Sequence, residues 1–376
     1  MPLSGVSSCP IMRIVVKLGT STLTNGTSRL SPPLMIDLAR QIAQLHAEGH
    51  QVALVSSGAI AAGREKLNFP HLPKDIPAKQ MLAAVGQPRL MAFYEQIFGL
   101  YGLTVAQVLL TRADLSDRRR YLNARNTLAA LLQQKVIPII NENDTLATEE
   151  IRVGDNDNLS ALAANLLDAE TLILLTDQDG LFSADPRSNP NAELVDTIAD
   201  EQIPASVWQA AGGTKSGLGT GGMLTKIQAA DLARRSGTAC VIANGKTPDV
   251  LLRLAAGEAI GTRFETVVSA VEARKRYILS ARRAPGLLTV DEGAARALQR
   301  GGSLLAVGLA AVSGKFERSD VVRVVDSDGR ELARGISNYA SDDLARILRH
   351  RSDEIEAILG YHYGDEVIHR NDLVLL

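Results

Sequence analysis

Six short apolar runs recur through the first 245 positions, and they constrain the fold more than any other feature of the chain. They are RIVVKLG (13–19), QVALVSSG (51–58), LTVAQVLL (103–110), VIPIIN (136–141), TLILLTD (171–177) and ACVIANG (239–245). Each is continuous rather than alternating and rich in Val, Ile and Leu, as a strand buried on both faces should be. Helical spacing fills the gaps. One helix is predicted from Ser31-Pro32-Pro33, with a capping serine and prolines in its first turn. Its Leu34, Leu38, Ile42 and Leu45 share a face, and Gly49 ends it. Others are predicted near 78–100, 119–134, 157–168 and 222–236. This alternation predicts a mainly parallel sheet with helices on both sides.

The pattern changes near Gly257. The stretch GEAIGTRFETVVSAVEARKRY (257–277) reads as a linker, and the residues after it read as a short helix and several strands with Gly-containing turns such as Asp328-Gly329. A chain of 376 residues has room for two cores. The domains are expected at 12–266 and 278–376. Apolar residues make up 45% and charged residues 22%, the balance of an ordinary globular protein. No apolar run approaches the roughly 18 residues that span a bilayer. The opening MPLSGVSSCP lacks a basic and then apolar pattern, so it does not read as a secretion signal. Two cysteines give no disulfide framework, which makes a reducing cytoplasm the expected setting, and Cys240, inside an apolar run, reads as core. A net charge of -2 gives no global case for nucleic acid or membrane.

Ligands of parallel sheets sit at the carboxyl ends of the strands. There the chain places Lys17-Leu18-Gly19-Thr20, Ser56-Ser57-Gly58, Asn141 to Asp144 and Thr176-Asp177. The loop after the fourth run gathers Glu142, Asp144, Glu149, Glu150, Asp155 and Asp157 among Asn141, Asn143, Asn156 and Asn158. A solvated acidic loop is the plain reading; a polar ligand site is the sharper one. SGLGTGGMLTK (216–226) is glycine-rich and precedes a helix, so its N–H groups suit phosphate oxygens. Gly217, Gly219 and Gly222 formally fit the dinucleotide spacing G-x-G-x-x-G, but no strand leads directly into the stretch and no acid follows the next strand; it is not a Walker A loop either, because it holds no Gly-Lys-Ser/Thr. Lys226, one turn into the helix, is placed to reach back over bound phosphates. None of the six histidines falls in these loops, which disfavours a histidine base. Phosphoryl transfer to a carboxylate needs none, since that nucleophile is already ionised and the protein supplies position and cations.

VVKLGTS, VSSGAIAAGR, LLTRADL, INEND, VGDNDNLSALAA, LLTDQDGLFSADPRSNP and SGLGTGGMLTK, in this order, resemble the amino-acid kinase family, and within it the members that phosphorylate glutamate. The likeness runs from Met12 onward; the first eleven residues match poorly, leaving Met1 and Met12 as alternative starts. The C-terminal part resembles the PUA domain. The resemblance implies an α/β/α sandwich around a mainly parallel sheet plus a small, mostly β PUA domain. It implies ATP-dependent phosphorylation of the L-glutamate side-chain carboxylate, the first step of proline biosynthesis, with ATP and Mg2+ as cofactors. It implies catalytic roles for Lys17, Lys226 and Asp157, the last orienting the two lysines. Ser57, Asp144 and Asn156 correspond to substrate-binding positions. Lys17, Thr176, Asp177 and the run Thr220, Gly221, Gly222, Met223, Leu224, Thr225, Lys226 correspond to ATP-binding positions; no metal-ligating side chain is assigned. Asp144 would pair with the substrate ammonium and Asn156 would hydrogen-bond the substrate. Glu142, Glu149 and Glu150 are expected to be solvated or at a subunit contact.

The resemblance also implies proline as feedback inhibitor, a homo-oligomer (dimer or tetramer) and transient contact with glutamate-5-semialdehyde dehydrogenase. Another acidic substrate is the near alternative, but aspartate kinases carry different regulatory domains and acetylglutamate kinases usually lack the C-terminal one. RNA binding is the alternative of another class. Residues 274–334 hold 12 Lys/Arg against 7 Asp/Glu, with only Tyr277 and Phe316 for base stacking, a bias that fits a solvated face better.

Overall fold

The computed structural model describes residues 10–73, 75–146, 156–184, 186, 189–211, 222–269, 278–279 and 284–376. The chain divides into two compact units, Met1–Ser269 and Ala270–Leu376.

The first unit is built on strands β1 (Arg13–Leu18), β2 (Gln51–Ser56), β3 (Val105–Leu110), β4 (Ile137–Glu142), β5 (Thr171–Thr176), β6 (Thr197–Ile198), β7 (Ala239–Asn244) and β8 (Thr262–Phe264). They form one sheet in the order β3-β4-β2-β1-β5-β7-β8-β6, parallel except where β7 meets β8. The β1 run shows why the apolar stretches are continuous. Ile14, Val16 and Leu18 enter one core with the Pro32–Ala47 and Ile76–Gly99 helices, while Val15 enters the other. That second core contains Leu159, Ala161, Ala163 and Ala164 of the Asn156–Leu166 helix. It also contains Ile227, Ala229, Ala230 and Ala233 of the Met223–Arg235 helix. Side chains alternate across a strand, so Lys17 shares the Val15 face, toward the layer that holds these two helices.

The strand order reverses at β1, which pairs with β2 on one side and β5 on the other. Such a reversal opens a crevice at the carboxyl ends of the strands. Lys17 and Leu18 lie at that end.

Three local findings differ from expectation. Ser31 occupies the N-cap of its helix, but its side chain makes no capping hydrogen bond. Pro32 and Pro33 have removed two of the first-turn N–H donors. Part of the presumed linker is strand: Thr262–Phe264 pairs with both β7 and β6. Glu142 is buried rather than solvated, because it is the last residue of a strand flanked by β2 and β3. Glu149, Glu150 and Asp155 lie outside the described residues.

Glycine is required where the Ala59–Lys66 and Ile76–Gly99 helices cross. A Cβ on Gly63 would fall 1.9 Å from the Leu82 carbonyl oxygen, and one on Gly86 1.8 Å from that of Ala59. The two backbones therefore touch, and the second helix is fixed against the turn that ends β2.

The second unit carries β9 (Gly286–Val290), β10 (Leu304–Leu305), β11 (Leu309–Ser313), β12 (Val321–Val325), β13 (Glu331–Ile336), β14 (Glu366–Ile368) and β15 (Leu373–Leu375). Five of them form a sheet in the order β11-β9-β12-β13-β15, and β10 pairs with β14. Leu288, Val322, Val324, Phe316 and Tyr339 fill a core separate from the two above. The Asp328-Gly329 turn joins β12 to β13, with Gly329 at φ +80°. Among the described residues, no helix is long and apolar enough to cross a membrane.

Candidate active site

At the carboxyl end of the sheet, three charged side chains meet out of solvent. Lys17 Nζ lies 2.5 Å from Asp157 Oδ1, and Lys226 Nζ lies 3.2 Å from Asp157 Oδ2. Their exposures are 5% for Lys17, 1% for Asp157 and 7% for Lys226. Local folding explains each placement. Lys17 is the next-to-last residue of a buried strand, Asp157 is in the first turn of its helix, and Lys226 is one turn into the next. A carboxylate near a helix N-terminus also suits the helix dipole. Thr225 adds its hydroxyl, 2.7 Å from Asp157 Oδ2 and 2.8 Å from the Gly222 carbonyl oxygen. Burial works to raise the Asp157 carboxyl, but the two ammonium groups and the Lys17 and Thr225 hydrogen bonds hold it well below the usual carboxylate range. Such a cluster carries one negative and two positive charges, and its surplus of one suits an anionic ligand such as a phosphate chain. A Cβ on Gly19 would come 3.3 Å from Lys17 Nζ, so the bare turn gives the ammonium room.

Next to the cluster is an amide network. Asn156 donates through Nδ2 to Ser57 Oγ at 2.9 Å and to Asn141 Oδ1 at 3.0 Å, with the Ser56 carbonyl oxygen at 3.4 Å. Asn141 donates in turn to Gln87 Oε1 at 2.8 Å. Ser57 is held to the sheet by its own N–H, which donates to the Leu18 carbonyl at 3.0 Å. Gly58 follows at φ +101°, a backbone conformation that favours glycine. Beneath the turn, the buried Tyr94 hydroxyl lies 2.7 Å from Ser56 Oγ. The Ser56 hydroxyl donates to the Ser57 carbonyl, which leaves Tyr94 as the donor to Ser56. Asp144 is half-buried in the turn after β4, and burial pushes its carboxyl up to about 6.

Thr176 is buried at the end of β5, opposite Asn244 of β7, and donates to Asp177 Oδ1 at 3.2 Å; Asp177 itself is exposed. Gly222 and Met223 are half-buried and Leu224 is exposed, while Thr220 and Gly221 lie outside the described residues. Lys17, Asp157, Lys226 and Thr225 thus form one contact group, and Ser57 with Asn156 a second, continuous along the backbone at Asn156-Asp157. Sequence reading did not single out Gln87 or Tyr94. Both lie on the Ile76–Gly99 helix, two turns apart on one face. Among the described residues, no three His, Cys, Asp or Glu side chains gather to hold a metal ion.

The model of the amino acid kinase family matches residues 12–244, and that of the PUA domain residues 286–359. A glutamate 5-kinase of Shewanella oneidensis is 54% identical over 372 residues, 99% of this chain and 100% of the relative. One of Photobacterium profundum is 54% identical over 377 residues, 100% of this chain and 99% of the relative. One of Herpetosiphon aurantiacus is 56% identical over 364 residues, 96% and 98% of the two chains. Among solved structures, an isopentenyl phosphate kinase aligns with a TM-score of 0.45 at 18% identity, over 67% of this chain and 99% of that one.

Proposed function

The chain belongs to the amino acid kinase family, grouping with the glutamate 5-kinases, and we propose that it transfers the γ-phosphoryl group of ATP to the side-chain carboxylate of L-glutamate. A bond forms between a carboxylate oxygen and the γ-phosphorus as the bond from that phosphorus to the β–γ bridging oxygen breaks. The products are ADP and L-glutamyl 5-phosphate, which commits glutamate to proline biosynthesis. The observation that carries this reading is the pairing of Lys17 and Lys226 with one buried carboxylate, Asp157.

The acceptor is already anionic, so no general base is needed. What the reaction needs is cationic charge fixed around the transferring group and exclusion of water. Lys17 and Lys226 supply the charge. Asp157 holds both against their mutual repulsion. Thr176, Asp177 and the glycine-rich stretch from Thr220 to Lys226 hold the nucleotide. Ser57 and Asn156 bind glutamate, and Asp144 pairs with its ammonium group. Asp157 already faces two lysines and a hydroxyl, so a magnesium ion would be held here through the bound nucleotide rather than by this carboxylate. When bound, it supplies further neutralisation of phosphate charge.

Proline as inhibitor at or beside the glutamate site, a homo-oligomeric assembly, a cytoplasmic setting and transient contact with the reductase that consumes the acyl phosphate complete the reading. The test is ADP release from ATP and magnesium against a panel of amino acids, with hydroxylamine trapping of any acyl phosphate. Glutamate-dependent ADP release with matching hydroxamate is expected. ADP release without hydroxamate, or with another amino acid alone, would overturn the assignment.

A further inference from the structure

Among the described residues, the amide network ends in two polar atoms with no partner. Gln87 Nε2 and Asn156 Oδ1 are both buried without a hydrogen bond, in residues only 9% exposed. Amide orientation is set by surrounding donors and acceptors, and here the backbone decides it. The Glu142 N–H donates to Asn141 Oδ1 at 2.9 Å, which fixes that atom as the oxygen. Asn141 Nδ2 must then face Gln87, so the Gln87 atom it meets is Oε1. Asn156 turns its nitrogen toward Asn141 Oδ1 and the Ser56 carbonyl, two acceptors, so its oxygen is left over. Turning any one amide around would set oxygen against oxygen or nitrogen against nitrogen. The chain from Asn156 through Asn141 to Gln87 therefore has a definite polarity, with an unused acceptor at one end and an unused donor at the other.

An unpaired buried N–H is costly and calls for a partner, which a bound ligand can supply. Resting on the glutamate reading above, we propose that Gln87 is a further substrate-binding residue, donating Nε2–H to the α-carboxylate of the amino acid. The chemistry fits, since an amide N–H donor suits a carboxylate oxygen and carries no charge to compete with Lys17 and Lys226 for phosphate. The order of contacts fits as well. Asp157 adjoins Asn156, Asn156 bonds Asn141, and Asn141 bonds Gln87, which puts Gln87 at the end of the network farthest from the lysines. The transferred phosphoryl group belongs to the lysine end, and the α-carboxylate to the other. The unused Asn156 oxygen is left to accept an N–H of the same ligand.

The test uses Gln87→Glu and Gln87→Met in the full chain, assayed at alkaline pH so that an introduced carboxyl stays ionised. Gln87→Glu keeps an oxygen to accept from Asn141 but replaces the donor by a second anion. It is expected to raise KM for glutamate on the order of 10–100-fold, the loss of one charge-assisted hydrogen bond. KM for ATP should stay within about twofold. Gln87→Met should raise KM for glutamate in the same direction. If Gln87 merely supports Asn141, Gln87→Glu will keep the wild-type KM while Gln87→Met loses it, and the proposal falls. A readout independent of the folded fraction is the preference, in kcat/KM, for glutamate over its α-amide. Wild type should prefer glutamate, and Gln87→Glu, which can accept the amide N–H, should narrow that preference. An unchanged preference overturns the proposal even if the variant melts early. A wild-type protein inert toward glutamate overturns the glutamate reading and this one with it. An active wild type beside an unaltered Gln87→Glu overturns this one alone.

Discussion

Lys17 Nζ sits 2.5 Å from Asp157 Oδ1, joining the central strand of the sheet to the first turn of a helix packed on the face that Lys17 shares with Val15. Asp157→Asn would leave Lys17 and Lys226 buried with no compensating anion. Breaking a buried pair by removing one partner costs about 3–5 kcal/mol. The expected result is a lowered melting temperature and a loss of kcat. The pH dependence has a definite sign. Because the folded carboxyl is held below its unfolded value, its stabilisation is fully present above the unfolded pKa, about 3.9. It is lost as pH falls through the folded value. The stability gap between wild type and Asp157→Asn, read by urea unfolding, should be constant near neutrality and narrow in strong acid. A gap that widens in acid would contradict the pairing.

Lys226→Ala should act mainly on kcat, lowering it roughly 10²–10³-fold, as loss of one transition-state donor does. The assay is steady-state kinetics on protein whose melt shows it to be folded. A wild-type kcat would remove Lys226 from the mechanism.

Asp144 has its carboxyl pushed up to about 6 by burial, so it ionises only as pH rises past that point. Pairing with a substrate ammonium requires the ionised form. Glutamate affinity should therefore fall below pH 6, about tenfold per pH unit, while KM for ATP stays flatter. Asp144→Asn should weaken glutamate binding by about 2–5 kcal/mol and flatten that acid limb. Stability should move the other way. A folded pKa above the unfolded one stabilises the chain at low pH, and that contribution is lost as pH rises through 6. Asp144→Asn should thus melt no lower than wild type near pH 7–8, as a substrate-facing rather than structural carboxylate would. Equal changes in both KM values would argue against the assignment.

Gly86→Ala places a Cβ where the Ala59 carbonyl oxygen stands, 1.8 Å away. The two helices must separate, and overpacking of this kind costs about 1–3 kcal/mol. The next residue is Gln87, and the partner helix follows Ser57-Gly58. Thermal melts should show the stability loss, and kinetics a rise in KM for glutamate larger than that for ATP.

The fold was legible because burial on both faces writes itself into continuous Val, Ile and Leu runs, and six of the eight sheet strands carry such a run. β8 escaped because three residues, Thr262-Arg263-Phe264, are too few to show a period and an arginine stands in the middle. Lys17, Asp157 and Lys226 are far apart in sequence, and no spacing rule joins them; the ordered set of motifs did so through family resemblance. Gln87 stayed hidden for another reason. Between Gly86 and Pro88 it reads as an ordinary helix residue, and its role depends on a bond to Asn141 that only the packing of a helix against the sheet creates. Glu142 misled because a charged residue after an apolar run reads as solvated, whereas neighbouring strands on both sides enclose it.

Every residue assigned to chemistry lies between Lys17 and Lys226, inside the Met1–Ser269 unit. Among the described residues, that unit has both of its cores and its eight-stranded sheet, with β8 ending before Ser269. The second unit has a core of its own. A chain ending at Arg274 should therefore melt cooperatively and still phosphorylate glutamate at saturating substrates, since a domain with its own core folds on its own. Inhibition by proline, the oligomeric state and any RNA retained in filter binding at physiological salt are then compared with the full chain, and a difference there assigns that property to the PUA domain. Because the basic excess of that region is small, full-length protein is expected to retain no RNA. A folded truncation with no kinase activity would mean that the second unit completes the active site, and the roles given to Lys17, Asp157 and Lys226 would then describe only part of it.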